Sequence, residues 1–319
     1  MGGKLFDCKR VSSSEYEEIS YDILSKFSSN RILAEIAPSL KKKESHGDID
    51  IIVSGDALNN ERIKEIFGAV DIHRNSNVIS ILFFGVQVDL NFHAPENFRT
   101  AVNYNSHGDL SNILGRIFHS IGYSLGHEGL SYYVRFSDED VLGKILVSKD
   151  QDKILSFIGL DFETWAAGFD TQEDVYEWVS QSKYFNWEKF KFEELNHINR
   201  IRNKKRPMYA DFVTWCSEKT FANYYVCKNK TEHLFRGMLH FGCDWMDSSK
   251  VLIDNRRLSL AVKNIFSGAD LLPLGDKGKE LGAKLNLFKL QFANWDKTVL
   301  ESNKKEMIEK FLLFEKSEL

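Results

Sequence analysis

Near the start of the chain, apolar residues recur at the three- and four-residue spacing of one helix face. They are Tyr16, Ile19, Ile23 and Phe27. Ser14 and Glu17 have the spacing of a capping box, in which each side chain bonds the backbone amide of the other residue. The pattern therefore predicts an amphipathic helix that begins near Ser14.

From Gly47 the pattern changes to β-branched residues that alternate with polar ones, as in a strand with one buried face. Gly55 and Asp56 then give a turn signal. The predicted elements are, in chain order, a strand at 49–53, a helix at 60–67, strands at 78–84 and 86–92, a helix at 110–122 and a strand at 131–136. This order predicts a mixed sheet accompanied by helices.

Beyond residue 150 the character shifts to long helical segments that are rich in aromatic residues. These segments lie at about 172–182, 187–204, 208–226, 231–241, 256–267, 276–292 and 302–316. We therefore expect an α+β protein, with a mixed α/β domain over residues 1–165 and an all-α domain over residues 166–319.

The composition agrees with two ordinary globular domains. A length of 319 residues is about twice that of a usual single domain, and 43% hydrophobic with 28% charged residues is typical of such chains. The net charge of -4 excludes a surface coated with positive charge but allows a local basic groove. Because no apolar run is long enough to cross a bilayer and no secretion signal is apparent, we expect a cytoplasmic or otherwise intracellular protein without a membrane partner.

Two aspartates stand out at the start of the first predicted strand. Asp48 and Asp50 lie two residues apart, so both project from one face of the strand while Ile49 and Ile51 enter the core. Carboxylates on one face repel each other unless a cation neutralises them. Hard oxygen ligands at this spacing suit Mg²⁺ or Mn²⁺.

Asp89 is the single acidic residue of the alternating run at 86–92. If the two strands are neighbours, Asp89 completes a triad of carboxylates with Asp48 and Asp50. Such a triad can hold two metal ions about 4 Å apart, one activating a 3′-hydroxyl and the other gripping a triphosphate. Taken singly, each aspartate fits an outward-facing polar position; together, and preceded by Gly47 and a Ser-x-Lys-Lys segment, they favour a nucleotide–metal site.

The segment from Ser39 to Asp50 resembles the palm motif of the polymerase β nucleotidyltransferase superfamily, specifically its family X DNA polymerases. That motif reads Gly-Ser-x-Arg-Arg, several residues, then Gly-Asp-x-Asp, with a single Asp on a later strand. Ser39 matches the motif serine, Lys41 and Lys42 replace the arginines, and Pro38 replaces the glycine. The resemblance implies a polymerase β-type palm that binds a (d)NTP through Ser39, Lys41, Lys42 and Gly47.

The likeness continues to the segment 154–160 and so covers about half of the chain. Residues 101–112 are similar to the family's Tyr-Phe-Thr-Gly-Ser turn and the asparagine that opens the next helix. The resemblance implies that Tyr104 faces the nucleotide sugar and that Asn112 bonds the base. The family's arginine that probes the templating base falls on Gly115, next to Arg116.

The segment 266–285 is similar to the helical body of bacterial CCA-adding tRNA nucleotidyltransferases and poly(A) polymerases. Gly268 and Gly275 fit helix ends, and Gly282 permits close helix packing. An ordinary helix-turn-helix segment explains the same residues. The similarity keeps an RNA or tRNA 3′ end open as an acceptor.

Seven basic residues, with aromatic residues among them, lie between Lys189 and Arg206. Such clusters contact phosphates, although a solvated helix end fits the same pattern. The residues predicted to bind nucleic acid are Arg200, Arg202, Lys204, Lys205 and Arg206.

Three functions remain open. The first is transfer of a nucleoside monophosphate from a (d)NTP to a nucleic-acid 3′-hydroxyl, with release of pyrophosphate, by a family X-like DNA polymerase or terminal transferase acting on a DNA primer end. The alternative is an RNA or tRNA 3′-end nucleotidyltransferase. The third is an inactive nucleic-acid-binding module, against which the carboxylate triad argues.

Overall fold

A computed structural model describes residues 5–137, 139–221, 225–242, 245–275 and 278–317. Their contacts divide the chain into two compact units, one formed by residues 1–133 and 146–244 and the other by residues 134–145 and 245–319. The boundary predicted at residues 165–166 falls inside the first unit. Within the described residues, no helix is long and apolar enough to span a membrane.

The first unit is built on a five-stranded mixed sheet, as expected for an α+β fold. Its strands lie in the order β2, β4, β7, β6, β5; β4 and β7 are parallel, and the other neighbours are antiparallel. A short ribbon pairs β1 with β3. The elements are β1 (Val11–Ser12), α1 (Ser13–Ser29), β2 (Ala34–Ile36), β3 (Ser45–His46), β4 (Asp48–Ser54), α2 (Asn60–Phe67), β5 (Ile72–Asn75), β6 (Val78–Phe83) and β7 (Val86–His93).

One face of the sheet is apolar and carries the core of this region. Ile49 and Ile51 are fully buried there, which confirms the inward positions expected for them. Ile23 and Phe27 of α1 and Ile63 of α2 pack in the same cluster. Because side chains alternate along a strand, the polar residues of β4 lie on the opposite face, where Ile52 is also buried in a smaller apolar cluster.

The predicted helix at the start of the chain is present, but its capping box is not the predicted one. Ser12 is the N-cap residue of α1, and its side chain accepts from the backbone amide of Glu15, which bonds back to the Ser12 amide. The predicted pair, Ser14 and Glu17, has the same spacing two residues later. Pairing of β1 with β3 fixes Ser12 in an extended conformation, and the helix therefore begins there.

A second group of strands and helices follows along the chain, and residues 134–145 within it belong to the second unit. Strands β10, β9 and β8 form a three-stranded sheet in that order. The elements are α3 (Phe98–Asn105), α4 (Leu110–Ser120), β8 (Tyr123–Gly126), β9 (Gly129–Arg135), β10 (Val141–Ser148), α5 (Gln151–Phe157), α6 (Phe162–Ala167), α7 (Gln172–Ser180), α8 (His197–Lys204), α9 (Pro207–Ser217) and α10 (Lys230–Phe241).

The single helix predicted over 187–204 is wrong. The segment forms two 3₁₀ turns, Trp187–Phe190 and Phe192–Glu194, before α8 begins. Asn196 has an extended backbone, and its side chain accepts from the Asn199 amide, so it is the N-cap of α8. The cap therefore fixes where α8 begins.

The second unit contains a helical region with its own core. Its helices are α11 (Met246–Ile265), α12 (Gly278–Leu290), α13 (Trp295–Leu300) and α14 (Lys304–Ser317), with a 3₁₀ helix at Gly268–Leu274. Phe266, Leu271 and Phe288 are among the buried residues that hold it together. Gly275 ends the 3₁₀ helix with φ of 118°, a conformation that favours glycine, as expected for a helix stop.

Candidate active site

The predicted carboxylates lie on the polar face of the five-stranded sheet. The parallel pairing of β4 with β7 sets Asp50 directly opposite Asp89 and sets Asp48 opposite Gln87. Residues paired across a ladder project from the same face, so all four side chains share one surface. The two strands are neighbours, which was the condition for Asp89 to join the other two aspartates.

This surface forms one wall of a cavity of about 970 Å³. The sheet wall consists of Asp48 and Asp50 with His73, Asn75, Val78, Ser80, Gln87 and Asp89, and Leu5 lies at the cavity as well. The remaining lining residues are Asp109, Ile198, Ile201, Arg202, Lys205 and Arg206. We call the first group the sheet wall and the stretch from Ile198 to Arg206 the helix wall.

Amide side chains hold two of the carboxylates. Nε2 of Gln87 donates to both oxygens of Asp89 at 3.0 Å, and Nδ2 of Asn91 lies 3.4 Å from Oδ1 of Asp50. Oε1 of Gln87 accepts from the backbone amide of Leu5 at 3.1 Å, and Gln87 is buried. Both ends of the Gln87 amide are therefore engaged, which fixes its orientation toward Asp89.

The carboxylates repel one another in a poorly hydrated place. Although the Asp50 side chain opens onto the cavity, the protein around it removes hydrating water, and this desolvation with the charges of Asp48 and Asp89 raises its pKa to about 7. Desolvation and the Asp89 charge likewise raise the pKa of Asp48. Among the described residues, no lysine, arginine or histidine forms an ion pair with any of the three.

His46, directly before Gly47, supplies no compensating charge either. Its ring is buried and stacks on Tyr16 with the ring centres 3.9 Å apart. Burial, together with the charges of Lys43 and Arg10, lowers its pKa to about 4, so the ring is neutral at pH 7. Hard oxygen donors that form no ion pair are a donor set that suits a divalent cation.

The carboxylates are adjacent but are not drawn together. Nowhere in the described ranges do three Asp, Glu, His or Cys side chains form a group that could hold one metal ion. The two hydrogen bonds from Gln87 hold Asp89 in this arrangement. The strand register places Asp50 directly opposite Asp89, with Asp48 two residues before Asp50 on the same face.

The helix wall carries positive charge and apolar surface. Ile198, Ile201, Arg202 and Lys205 follow the three- and four-residue spacing of one helix face, and all four line the cavity. Arg206 forms an ion pair with Asp109, and Nη2 of Arg202 donates to Oδ1 of Asn112 at 2.8 Å. Three of the five predicted nucleic-acid residues thus face the carboxylates.

The other two predicted basic residues occupy different places. Arg200 donates to the backbone carbonyls of Phe192 and Leu195, each at 3.0 Å, and so closes the 3₁₀ turn onto the helix. Lys204 is exposed and is not among the residues that line the cavity. The structure therefore separates neighbouring residues that look equivalent in the sequence.

Three predicted nucleotide-binding residues converge on a smaller cavity of about 210 Å³. Tyr104, Asn112 and Arg116 line it together with Arg202, which also lines the larger cavity. Asn112 donates to Oδ1 of Asn203 at 3.1 Å, and Arg116 donates to the backbone carbonyl of Lys189 at 2.7 Å. Tyr104 contacts the ring of His127 at 4.3 Å between ring centres.

The predicted phosphate loop lies outside both cavities. Lys42 forms an ion pair with Asp170 at 2.8 Å, and the amides of Lys41 and Lys42 bond the carbonyls of Phe169 and Asp170. Oγ of Ser39 donates to the Leu40 carbonyl at 3.3 Å. Gly47 is buried directly before Asp48. In this arrangement Asp170 engages the lysines that were expected to meet a triphosphate.

Several cavity residues were missed in the sequence, although a signal for two groups of them was present. Gln87 lies two residues before Asp89, so strand alternation alone places it on the acidic face. Ile198 and Ile201 lie one helical turn before Arg202 and Lys205. His73 and Asn75 come from β5, a short edge strand without an alternating pattern.

Comparison of the sequence with protein-family models and with curated proteins gives no match. Among solved structures, one similar chain is Leishmania infantum polymerase beta, described as a ternary P/T complex. The similar region covers 41% of this chain and 60% of the polymerase chain, at 14% identity and a TM-score of 0.34. This chain thus covers less than two thirds of that polymerase. The functional conclusion therefore rests on the residues of this chain.

Proposed function

We propose that this protein is a metal-dependent nucleotidyltransferase that adds nucleoside monophosphates from a (d)NTP to a nucleic-acid 3′-hydroxyl. One observation carries the proposal. Asp48, Asp50 and Asp89 share one sheet face without a basic partner among the described residues, and a wall with Arg202 and Lys205 faces them across the cavity. A polyanionic substrate that arrives with divalent cations matches both walls.

The residues divide the chemistry between them. Asp48, Asp50 and Asp89 would hold Mg²⁺ or Mn²⁺, which when bound supplies positive charge for the triphosphate and the ionising hydroxyl. Asp89 would accept the proton of the acceptor hydroxyl, and the hydrogen bonds from Gln87 would orient its carboxylate. The 3′-oxygen forms the bond to the α-phosphorus, the bond to the β-phosphate breaks, and pyrophosphate leaves.

The first candidate acceptor is a DNA end, extended by a family X-like DNA polymerase or terminal transferase. The second is an RNA or tRNA 3′ end. The similarity of residues 266–285 to the helical body of CCA-adding enzymes favours the second, and this segment contributes Phe266, Leu271 and Leu281 to the core of the second unit.

One assay separates these candidates. Purified protein with Mg²⁺ and labelled dNTPs or NTPs is offered a gapped DNA duplex, single-stranded DNA, or tRNA that lacks its 3′ end. Extension of either DNA supports the first candidate, and extension of tRNA supports the second. Binding without incorporation of any nucleotide would overturn the proposed reaction and leave a binding module.

A further inference from the structure

The face of α8 that lines the cavity carries apolar residues, which metal binding by the carboxylates does not require. Ile198 is 77% exposed and Ile201 is 47% exposed, although both lie on a wall of the cavity. Asn203, on the other side of the helix, is fully buried and accepts from Asn112. The helix is therefore anchored by one face while it presents two isoleucines toward the carboxylates.

The basic residues beside these isoleucines differ in the partners of their charged groups. Arg206 is paired with Asp109, and Arg202 donates to the neutral amide of Asn112. Lys205 is exposed and forms no ion pair within the described ranges. Lys205 and the rest of the Arg202 guanidinium are thus available to a phosphate, next to apolar surface that a flat base can cover.

The cavity is large enough for the end of a nucleic-acid strand. Sites that enclose one small ligand measure about 300–1,000 Å³, and this cavity, at about 970 Å³, lies at the upper end. That space accepts one nucleotide with the end of a strand. An unpaired terminal base can turn onto the two isoleucines, whereas a base within a duplex keeps its faces stacked on its neighbours.

We infer that the cavity face of α8 is the acceptor subsite, and that it takes the unpaired 3′-terminal nucleotide of a single strand. This inference rests on the proposed function. The terminal base lies against Ile198 and Ile201, its 5′-phosphate meets Lys205 and Arg202, and its 3′-hydroxyl points toward the carboxylates. Charge complementarity fixes this direction, because a backbone phosphate placed at the sheet wall would meet three carboxylates.

Binding of a strand tests the subsite without catalysis. A fluorescein-labelled ten-nucleotide single strand, in a DNA arm and an RNA arm, is titrated with the full-length protein in EDTA and without nucleotide. We expect Lys205→Ala to weaken binding about five- to tenfold and Ile201→Ala to weaken it about fivefold. Both side chains are exposed, so circular dichroism and Tm should match the wild type.

Two further lysine variants make the result specific. Lys64 lies on α2, which packs on the apolar side of the sheet, and Lys64→Ala removes the same charge without affecting binding. Lys204→Ala should cost less than half of the loss seen with Lys205→Ala. Equal losses at Lys204 and Lys205 would overturn the α8 subsite in favour of diffuse attraction by the whole basic segment.

A competitor decides whether the bound end is unpaired. Unlabelled single strand should displace the probe at least tenfold better than a blunt duplex of the same length. Equal competition by the duplex, or loss of NTP binding rather than strand binding in Lys205→Ala, would overturn the inference.

The same titration with Asp89→Asn separates the two proposals. Suppose that Asp89→Asn binds the strand and that the wild-type protein incorporates no nucleotide. This result would refute the transfer reaction but keep the acceptor subsite. Incorporation by the wild type without any effect of the α8 variants on strand binding would refute the subsite alone.

Discussion

The two walls of the cavity carry opposite charges, and the charged side chains have different surroundings. Asp50 and Asp89 of the sheet wall project from paired central strands whose other face is filled with buried residues such as Ile51 and Leu90. Neither aspartate forms an ion pair with a described residue, and the pKa of Asp50 stays raised although the charge of Lys43 acts to lower it. The cations of the helix wall lie at the end of the short helix α8, where Arg206 already has the partner Asp109.

This difference suggests different tasks. A strand register fixes the spacing of carboxylates, which a centre for metal-assisted chemistry requires. Long, partly paired arginine and lysine side chains adapt to the irregular path of a nucleic-acid backbone. We therefore expect changes in the sheet wall to affect turnover and changes in the helix wall to affect acceptor binding.

The largest expected effect comes from the sheet wall. Asp89→Asn keeps the shape of the side chain but removes its charge and its ability to accept a proton. We expect nucleotide incorporation to fall by about 10³-fold or more, with a Tm no lower than that of the wild type and an unchanged acceptor Kd. The matched control is Asp56→Asn, in the exposed turn after β4, which should retain wild-type turnover. Wild-type turnover of Asp89→Asn would refute the assignment of Asp89.

The next largest effect is expected in the salt dependence of acceptor binding, which depends on the helix wall and not on the sheet wall. With phosphate contacts from Lys205 and Arg202 on a single strand, log K falls with log salt at a slope of about -1.4, so binding weakens about sevenfold between 50 and 200 mM salt. Lys205→Ala should reduce the slope by about 0.7, whereas Asp89→Asn should leave it unchanged. The check is acceptor Kd measured at four salt concentrations. A slope insensitive to Lys205 would remove this residue from the phosphate path.

Gln87 gives a smaller effect, confined to turnover. Gln87→Met keeps the length of the side chain and removes the two hydrogen bonds to Asp89. We expect kcat to fall about five- to tenfold with the acceptor KM unchanged, because the residue orients Asp89 and does not touch the strand. Steady-state kinetics provides the test. A rise in KM at constant kcat would show instead that Gln87 contacts substrate.

The smallest expected effect is on protein stability. A gain in stability when the charge is removed is specific to a carboxylate without an ion-pair partner. The pKa of Asp50 is raised from 3.8 to about 7 in the folded protein, so the folded state holds a proton that the unfolded state releases, and stability falls as pH rises across that range. Above pH 7, Asp50→Asn should stabilise the metal-free protein by on the order of 1 kcal/mol, a value reduced because the side chain opens onto solvent.

Thermal melts in EDTA at pH 4 and pH 8 measure this effect. The Tm of Asp50→Asn should exceed that of the wild type by about 2 °C at pH 8, and the difference should disappear near pH 4. Mg²⁺ should restore the Tm of the wild type but not raise that of the variant. A variant less stable than the wild type at pH 8 would show that the Asp50 charge is compensated.

Local patterns in the sequence were enough to place the acidic face. Alternation around Asp48, Asp50 and Asp89 gave both the buried isoleucines and the shared surface, and the helix predicted at 60–67 has those bounds in the structure. What short patterns do not contain is long-range pairing. The ion pair between Lys42 and Asp170 joins residues far apart in the chain, and no local signal marks it.

The same limit applies to the segment that became the helix wall. Aromatic and basic residues between 187 and 204 have helical spacing, yet the Asn196 cap starts a shorter helix. At the other end of this helix, Lys205 lines the cavity and Lys204 does not. A charge count over the segment cannot separate two adjacent lysines.

Binding of Mn²⁺ tests the central claim most directly. Titration of the full-length protein with Mn²⁺, followed by electron paramagnetic resonance, should show bound ion in the wild type and in Asp56→Asn. Binding should be at least tenfold weaker in Asp50→Asn, which keeps the side-chain shape and removes one ligand charge. Equal binding by the wild type and Asp50→Asn would contradict the sheet wall as the cation centre.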